Sequence, residues 1–318
     1  MPMTLDTINN LMSDCTLCPR NCHADRLAGQ LGFCGQTAEL KAARAALHYW
    51  EEPCISGTSA SAALGSGAVF FSGCSLQCVF CQNHNIAMGK EGRLISVERL
   101  TKIFLGLQDK GAANINLVTG THFIPQIVRA LFTAKAQGLA IPIVYNTGSY
   151  EKIASLRLLE GLIDIYLPDL KYFSPELSAK YSHADDYFEV ASAAIAEMHR
   201  QVGPPVIDPD TGLMKKGIIV RHLLLPGETK DSKKVLRYLH ETYKNDIYVS
   251  IMNQYTPLEH TAQLPPLNRR VTETEYGRVL TFAERLGIER GFYQEGDTVG
   301  ESFIPDFNGE GLYDENGL

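Results

Sequence analysis

From residue 66 onward, short apolar runs alternate with longer segments of helical period. Each short run is rich in β-branched or aromatic residues and is closed by Gly, Pro, Asn or Asp, which is typical of buried strands. We predict six strands, at about 68–72, 114–119, 141–146, 163–167, 217–224 and 247–252.

The longer segments place apolar residues three and four positions apart and mostly stop at Gly, as amphipathic helices do. They read VERLTKIFLGLQDKG, PQIVRALFTAKAQG, DYFEVASAAIAEMHRQV, DSKKVLRYLHETY and TETEYGRVLTFAERLG. Strands that alternate with helices indicate repeated βα units and a mainly parallel sheet. The pattern therefore predicts an α/β fold with a barrel or partial barrel, and a doubly wound open sheet is the alternative.

The distribution of cysteines divides the chain. All 8 lie before residue 82, and four of them fall in the Pro- and Gly-containing stretch CTLCPRNCHADRLAGQLGFCG. Close-set cysteines in such a stretch are typical of a loop-rich module held by a metal. We predict a Cys-rich N-terminal extension over 1–60, a barrel domain over 61–296, and a Gly- and acid-rich tail over 297–318 that lies on the surface.

Composition narrows the class of protein. The chain has 318 residues, 45% of them apolar, and 29 basic against 36 acidic residues give a net charge of −7. An acidic chain without a basic run disfavours nucleic-acid binding. Neither a signal peptide nor a run of membrane-spanning length is present in the sequence, so we predict a cytoplasmic protein without a membrane partner. Because that compartment is reducing, the cysteines point to metal binding or redox chemistry.

The first predicted strand runs directly into three cysteines, Cys74, Cys78 and Cys81, in the pattern C-x3-C-x2-C. Loops at the carboxyl ends of parallel strands form the active site in such folds. Three thiolates on one loop can hold three irons of a [4Fe-4S] cluster, whereas an electron carrier supplies a fourth cysteine. The spacing thus predicts a cluster with one iron open to chemistry; the alternatives are buried thiols or a zinc site completed by His84.

This motif, with the aromatic Phe80 before its last cysteine, resembles the signature of the radical S-adenosylmethionine (SAM) superfamily. Further segments are similar to homologues of pyruvate formate-lyase activating enzyme, from residue 15 to about 306. They are EEPCISG at 51–57, GAVFFSGCSLQCVFCQNHNI at 67–86, LVTGTHFIPQI at 117–127, LPDLKYF at 167–173, VRHLLLPG at 220–227 and SIMNQYTP at 250–257.

The resemblance implies a partial (β/α)6 barrel in which the open iron binds the amino and carboxylate groups of SAM. It implies that one electron cleaves SAM to methionine and a 5′-deoxyadenosyl radical, which abstracts hydrogen from a substrate. A primary alkyl radical has to be made away from water, and a barrel lumen lined by apolar strands provides such a site.

The resemblance also implies roles for polar residues at other strand ends. Thr119 stands where the family commonly has a glycine-rich stretch that receives the methionine amino group, and Asn146 lies in a segment similar to the DTNG of the activating enzymes. Asp169 and Lys171 match their DLK segment, beside the SAM carboxylate. Arg221 is a further candidate cosubstrate contact, because it and its neighbour His222 point to opposite faces of a strand and only one can reach the lumen.

Four N-terminal cysteines, Cys15, Cys18, Cys22 and Cys34, have the spacing C-x2-C-x3-C-x11-C. Four thiolates suit either a structural zinc or an auxiliary [4Fe-4S] cluster. We favour zinc because nothing else in the sequence calls for a second electron-transfer centre. Cys54 is predicted to be a small buried residue, with replacement of one of the four as the alternative.

The sequence leaves three functions open, of which a zinc-dependent binding protein is the third. The first is a radical SAM enzyme that takes electrons from a reductant such as flavodoxin or ferredoxin and modifies a substrate, for example a glycyl-radical enzyme. The second is an iron–sulfur electron carrier or regulatory module without turnover. The open iron separates the first two, since a carrier uses four protein ligands.

Overall fold

The computed structural model describes residues 4–57, 65–294 and 305–313. Its strands are β1 (Lys41–His48), β2 (Ser66–Phe71), β3 (Arg93–Leu94), β4 (Ile115–Val118), β5 (Ile143–Thr147), β6 (Ile165–Pro168), β7 (Val206–Ile207), β8 (Met214–Leu223), β9 (Tyr248–Met252) and β10 (Gly291–Tyr293). Its α-helices are α1 (Leu5–Ser13), α2 (Pro53–Ser56), α3 (His84–Ala87), α4 (Val97–Asp109), α5 (Ile124–Ala136), α6 (Ile153–Arg157), α7 (Pro175–Ser182), α8 (Tyr187–Val202), α9 (Thr229–Tyr243) and α10 (Glu273–Leu286).

The strands of the described residues form one sheet. Its strand order is β10-β9-β8-β6-β5-β4-β2-β1-β3, and β7 pairs with β8 outside that path. Neighbours from β2 to β10 along this path are parallel. Strands β1, β3 and β7 pair antiparallel.

The six predicted strands correspond to β2, β4, β5, β6, β8 and β9, and the five predicted helices to α4, α5, α8, α9 and α10. The parallel strands follow one another in sequence order without reversal. A doubly wound sheet reverses its order at a switch point, whereas a barrel does not. The α/β prediction and the partial barrel are therefore confirmed; β3 and β10 stand at the two ends of the described strand order, and the sheet stays open between them.

Four of the described strands, β1, β3, β7 and β10, were not predicted, and β3 and β7 have only two residues each. Strand β1 reads KAARAALH, whose Ala, Lys and Arg favour helix over strand, and its pairing with β2 overrides that preference. Strand β10 has only three residues, too few for a periodic signal. Because β1 joins the main sheet, part of the predicted N-terminal extension packs as barrel structure; the predicted boundaries at 60/61 and 296/297 lie outside the described residues.

Helix α2 packs inside the barrel. Cys54 and Ile55 of α2 pack in one buried cluster with Val144, Ile165, Leu167, Met214 and Ile219 from β5, β6 and β8. The carbonyl of Ile55 accepts a hydrogen bond from Asn114 at 2.7 Å. Cys54 is thus the small buried residue that the sequence predicts, and it lies within the barrel.

The described part of the predicted tail, residues 305–313, covers β1. Ala45 donates its amide to the carbonyl of Glu310 at 2.9 Å, and Gly309 donates to that of Ala43 at 3.0 Å. Leu312 is fully buried. None of the helices in the described ranges is long and apolar enough to cross a membrane.

Candidate active site

The carboxyl ends of the parallel strands open into one cavity of about 420 Å³. That volume is in the range of sites that bind small molecules and cofactors. All nine side chains that the sequence predicts for the cluster and for SAM line it: Cys74, Cys78, Phe80, Cys81, Thr119, Asn146, Asp169, Lys171 and Arg221.

The three cysteines of the motif lie on the loop after β2. Burial raises the pKa of Cys78 to about 11 and that of Cys81 to about 12, and in both cases the Cys74 sulfur is near enough to raise it further. The three sulfurs are therefore mutual neighbours, and Cys78 and Cys81 keep their protons at neutral pH until a metal replaces them. Three thiolates on one cavity wall suit a cluster with one open iron.

As placed in the described parts of the chain, no three His, Cys, Asp or Glu side chains form a ready site for a metal ion. A cubane cluster is itself several ångströms across, so its ligands surround it instead of meeting at one point. His84, the alternative fourth ligand for zinc, is absent from the cavity lining and packs against His260 with ring centroids 4.4 Å apart.

Phe80 holds the cysteine loop by aromatic packing. Its ring meets the rings of Tyr172, Tyr181 and Tyr255 edge-on, with centroids 6.3, 6.5 and 6.4 Å away. Edge-to-face pairs of this kind add to the stabilisation from burial. The aromatic residue before Cys81 thus has a packing role in addition to its place at the cavity wall.

The charged side chains at the ends of β6 and β8 form one network. Lys171 Nζ lies 2.6 Å from Asp169 Oδ2, and Arg221 Nε lies 3.3 Å from Asp169 Oδ1. Burial alone would raise the pKa of Asp169, but the two cations outweigh it and hold that pKa below its usual value. Burial lowers the pKa of Lys171, and Asp169 more than reverses this, so the lysine stays charged.

Arg221 faces the cavity and His222 does not. The guanidinium also lies 2.7 Å from Asn146 Oδ1, a hydrogen bond that fixes the amide of the β5 end. His222 points to the other face, where its Nδ1 is 2.7 Å from the carbonyl of Leu170. Arg221 and His222 therefore point to opposite faces of β8, as the sequence predicts, and Arg221 is the one that reaches the cavity.

Thr119, where the family commonly carries glycine, has a backbone φ of +59°. Left-handed backbone is unfavourable for a β-branched residue and is found mostly at sites that the surrounding structure holds in place. At the next residue, Gly120, a Cβ would lie 2.6 Å from Ile127 Cδ1, so a side chain there would require the Ile127 side chain to move. The loop thus keeps a glycine-like path while presenting a threonine to the cavity.

Sequence reasoning missed the acidic floor of the cavity. Glu51 lies 3.0 Å from Arg221 and accepts a hydrogen bond from Asn116 at 3.0 Å. Glu52 is 9% exposed, and its Oε2 has no hydrogen-bond partner among the residues that the structure describes. Burial raises the pKa of Glu52 despite the nearby Arg221. The EEPCISG resemblance marked this segment, but only the fold shows that its two acids line the same cavity.

A second buried acid, Glu151, lies behind the cavity wall. Its Oε1 accepts hydrogen bonds from the hydroxyls of Thr121 and Thr147 at 2.6 Å and of Tyr145 at 3.2 Å, whereas its Oε2 has no partner within the described part of the chain. Burial raises the pKa of Glu151 to about 7. Thr121 and Thr147 line the cavity themselves, so they connect the acid to it.

The N-terminal cysteines also come together. Burial raises the pKa of Cys18 to about 12 and that of Cys34 to about 11. The nearby Cys22 sulfur raises both pKa values further. Cys15 lies near Cys34 and accepts a hydrogen bond from Arg26 at 3.6 Å. The four sulfurs therefore belong to one neighbourhood, separate from Cys54 in the barrel.

The N-terminal cysteine module contacts the loop that carries Cys74, Cys78 and Cys81, and we call this contact the seam. Gly73, the residue before Cys74, has a φ of +92°, and a Cβ there would lie 2.6 Å from the carbonyl oxygen of Cys34. Gln77 of the cluster loop donates to the carbonyl of Phe33 at 2.8 Å. The N-terminal module therefore packs directly against the loop that carries the C-x3-C-x2-C cysteines.

Comparison with known families agrees with this geometry. The family model for the radical SAM superfamily matches residues 68–239, more than half of the chain, including the cysteine loop and the ends of β4, β5, β6 and β8. The chain therefore belongs to the radical SAM superfamily. It is 26% identical over 297 residues, 91% of this chain and 80% of the relative, to the uncharacterized protein MJ0674 of Methanocaldococcus jannaschii.

Solved structures with some likeness include methylornithine synthase (PylB), at 16% identity and a TM-score of 0.49 over 74% of this chain and 66% of that one. Streptococcus suis SuiB bound to SAM matches at 13% identity and a TM-score of 0.47, over 70% of this chain and 48% of SuiB. A domain of pyruvate-formate lyase-activating enzyme from Bacteroides vulgatus matches at 11% identity and a TM-score of 0.40, over 54% of this chain and 92% of that domain. These likenesses are too low to transfer a substrate.

Proposed function

We propose that this chain is a radical SAM enzyme that binds a [4Fe-4S] cluster through Cys74, Cys78 and Cys81 and cleaves SAM reductively for hydrogen abstraction. The observation that carries the proposal is the single cavity in which these three thiols face Asp169, Lys171 and Arg221. The residues fit the cluster by their chemistry, since three soft thiolates leave one iron for the cosubstrate.

A cluster held by Cys74, Cys78 and Cys81 would supply the one electron that the reductive cleavage of SAM to methionine and a 5′-deoxyadenosyl radical requires. The protein residues bind and orient SAM. The Lys171 ammonium is a partner for the methionine carboxylate, and Asn146 and the Thr119 hydroxyl are candidate contacts for the ribose and the amino group. Asp169 and Arg221 keep Lys171 and Asn146 in place through the contacts described above.

The lower barrel protects the radical. Cys54 and Ile55 belong to a buried apolar cluster within the barrel, and apolar packing of this kind excludes water. A radical formed in this cavity would take a hydrogen atom from a substrate C–H bond and become 5′-deoxyadenosine. Exclusion of water and of stray donors is the protein's contribution to this step.

Anaerobic reconstitution with iron and sulfide, followed by dithionite and SAM, tests the proposal. We expect methionine and 5′-deoxyadenosine in equal amounts, and neither when dithionite is left out. Protein that holds its full iron content and leaves SAM intact would instead be the carrier or regulatory module.

For the substrate, we propose a glycyl-radical enzyme, with flavodoxin or ferredoxin as the electron donor. The segments similar to activating enzymes support this, and an open barrel leaves a side through which a protein loop can enter. Pyruvate formate-lyase is a suitable probe: with reductant and SAM, we expect a glycyl radical signal in electron paramagnetic resonance (EPR). Formation of 5′-deoxyadenosine without that signal rejects this substrate and leaves the SAM chemistry intact.

At the N-terminus, we propose that Cys15, Cys18, Cys22 and Cys34 hold a structural zinc, with a second iron–sulfur cluster as the alternative. The support is Arg26, which is 1% exposed. Within the described residues its hydrogen bonds go to backbone carbonyls and to Cys15 Sγ, never to a carboxylate. A buried cation needs a counter-charge, and four thiolates around a metal provide one.

A further inference from the structure

One side chain outside the predicted site touches a cluster ligand directly. Ser182, the last residue of α7, lies with its Oγ 2.9 Å from Cys78 Sγ, and the serine is fully buried. The Tyr172 hydroxyl is 2.7 Å from the same Oγ. Burial keeps the pKa of Tyr172 well above its ordinary value, so this hydroxyl retains its proton. Tyr172 can therefore donate to Ser182, which leaves the Ser182 proton for sulfur.

We propose that Ser182 is a positioning residue that donates a hydrogen bond to Cys78 and raises the reduction potential of the cluster bound there. This inference rests on the proposed function, because it requires Cys78 to be a cluster ligand. A hydrogen bond to a cluster sulfur strengthens as the cluster gains negative charge on reduction. In a buried site the effect is larger than in water, because little solvent screens it.

The seam with the N-terminal module holds Ser182 in place. Arg20, which lies between Cys18 and Cys22, donates to the carbonyl of Ser75 at 2.8 Å and to that of Ser182 at 3.1 Å. One guanidinium therefore ties the cluster loop to the end of α7. The N-terminal cysteine loop thus contacts both the cluster loop and the residue that donates to Cys78.

The test is an EPR-monitored redox titration of reconstituted protein without SAM. The signal followed is the one that is lost when Cys74, Cys78 and Cys81 are all replaced by Ala, which excludes any N-terminal cluster. In Ser182→Ala we expect the equilibrium constant for reduction of the cluster to be about tenfold smaller. For a one-electron couple, this lowers the reduction potential by about 59 mV.

Ser178→Ala is the matched control. Ser178 lies one turn earlier in α7, is 1% exposed, and donates to the carbonyl of Pro175 instead of a sulfur. We expect the reduction potential of Ser178→Ala to equal that of the wild type. Ser182→Thr keeps the hydroxyl, so its potential should lie close to that of the wild type. Tyr172→Phe, which removes the outer hydroxyl, is expected to shift the potential in the same direction by less.

Equal potentials in Ser182→Ala and the wild type, at normal iron content, overturn the inference. If Ser182→Ala does not fold, an unchanged potential in Tyr172→Phe overturns it in the same way. A different result would show that the proposed function is wrong. In that case, the EPR signal survives the replacement of Cys74, Cys78 and Cys81 by Ala.

Discussion

Lys171 Nζ and Asp169 Oδ2 lie 2.6 Å apart at the end of β6, and both side chains line the cavity that holds the three motif cysteines. Two residues apart on an extended chain, they share one face. The pair keeps a buried ammonium charged beside the thiols, since Asp169 more than offsets the effect of burial on the pKa of Lys171. A charged lysine in this position is suited to receive the carboxylate of SAM.

Lys171→Ala should weaken SAM binding by one to two orders of magnitude. A hydrogen bond to a charged group contributes roughly 1.5–3 kcal/mol, or about 10- to 150-fold in affinity. Titration of the reconstituted variant with SAM measures this. Lys180→Ala, which removes an exposed lysine outside the cavity lining, is the control and should bind SAM like the wild type. Unchanged affinity in Lys171→Ala at normal cluster content removes Lys171 from the site.

Arg26→Met should weaken metal binding at the N-terminal cysteines by about 10- to 100-fold, which is typical when a partner of a metal ligand is lost. The variant removes the buried cation and its hydrogen bond to Cys15. Competition with a chelator, followed by metal analysis, measures the affinity and shows whether the metal is zinc or iron. Arg129→Met, at a partly exposed arginine of α5, should retain the metal. Equal retention in both variants contradicts the counter-charge role of Arg26.

Cys18→Ser should lower the thermal midpoint of the protein, because a structural metal contributes its binding free energy to folding. The protein that remains folded should still form some 5′-deoxyadenosine from SAM. Calorimetry and product analysis of the same sample check both points. A folded variant that has lost all cleavage would indicate that the N-terminal site takes part in electron transfer.

Glu151 should make the protein less stable as pH rises. Burial raises its pKa from 4.5 to about 7, so between these values the folded state binds a proton that the unfolded state has released. This contribution is present in full below about pH 4.5 and is lost as pH rises through about 7, for a total of up to about 3 kcal/mol. Glu151→Gln should remove this dependence, and the exposed Glu39→Gln should not. Urea unfolding at several pH values measures it; parallel curves for Glu151→Gln and the wild type contradict the prediction.

Periodicity and spacing in the sequence predict the parallel strands and the residues at their ends. The strands are visible as short apolar runs, and polar residues near the ends of such strands meet at one edge of the sheet, which together with the family resemblance predicts Asp169 and Arg221 at one site. The ion pair between them was not predicted. Strand β1 was missed because its alanines gain strand structure only from pairing with β2. Contacts such as Ser182 to Cys78 join residues 104 positions apart and leave no local pattern. Arg26 gave no signal either, because its burial depends on how the N-terminal loops pack against the 3₁₀ turn at Thr121–Phe123.

The formation of 5′-deoxyadenosine by a variant without the three motif cysteines tests the central claim most directly. Wild-type protein, reconstituted anaerobically and given dithionite and SAM, should form 5′-deoxyadenosine. Replacing Cys74, Cys78 and Cys81 together by Ala should abolish the product and the oxygen-sensitive cluster. Cys54→Ala, which removes a buried thiol outside the cavity lining, should keep both. Product formation by the triple variant at the wild-type level, or wild-type iron content in it, would contradict the account.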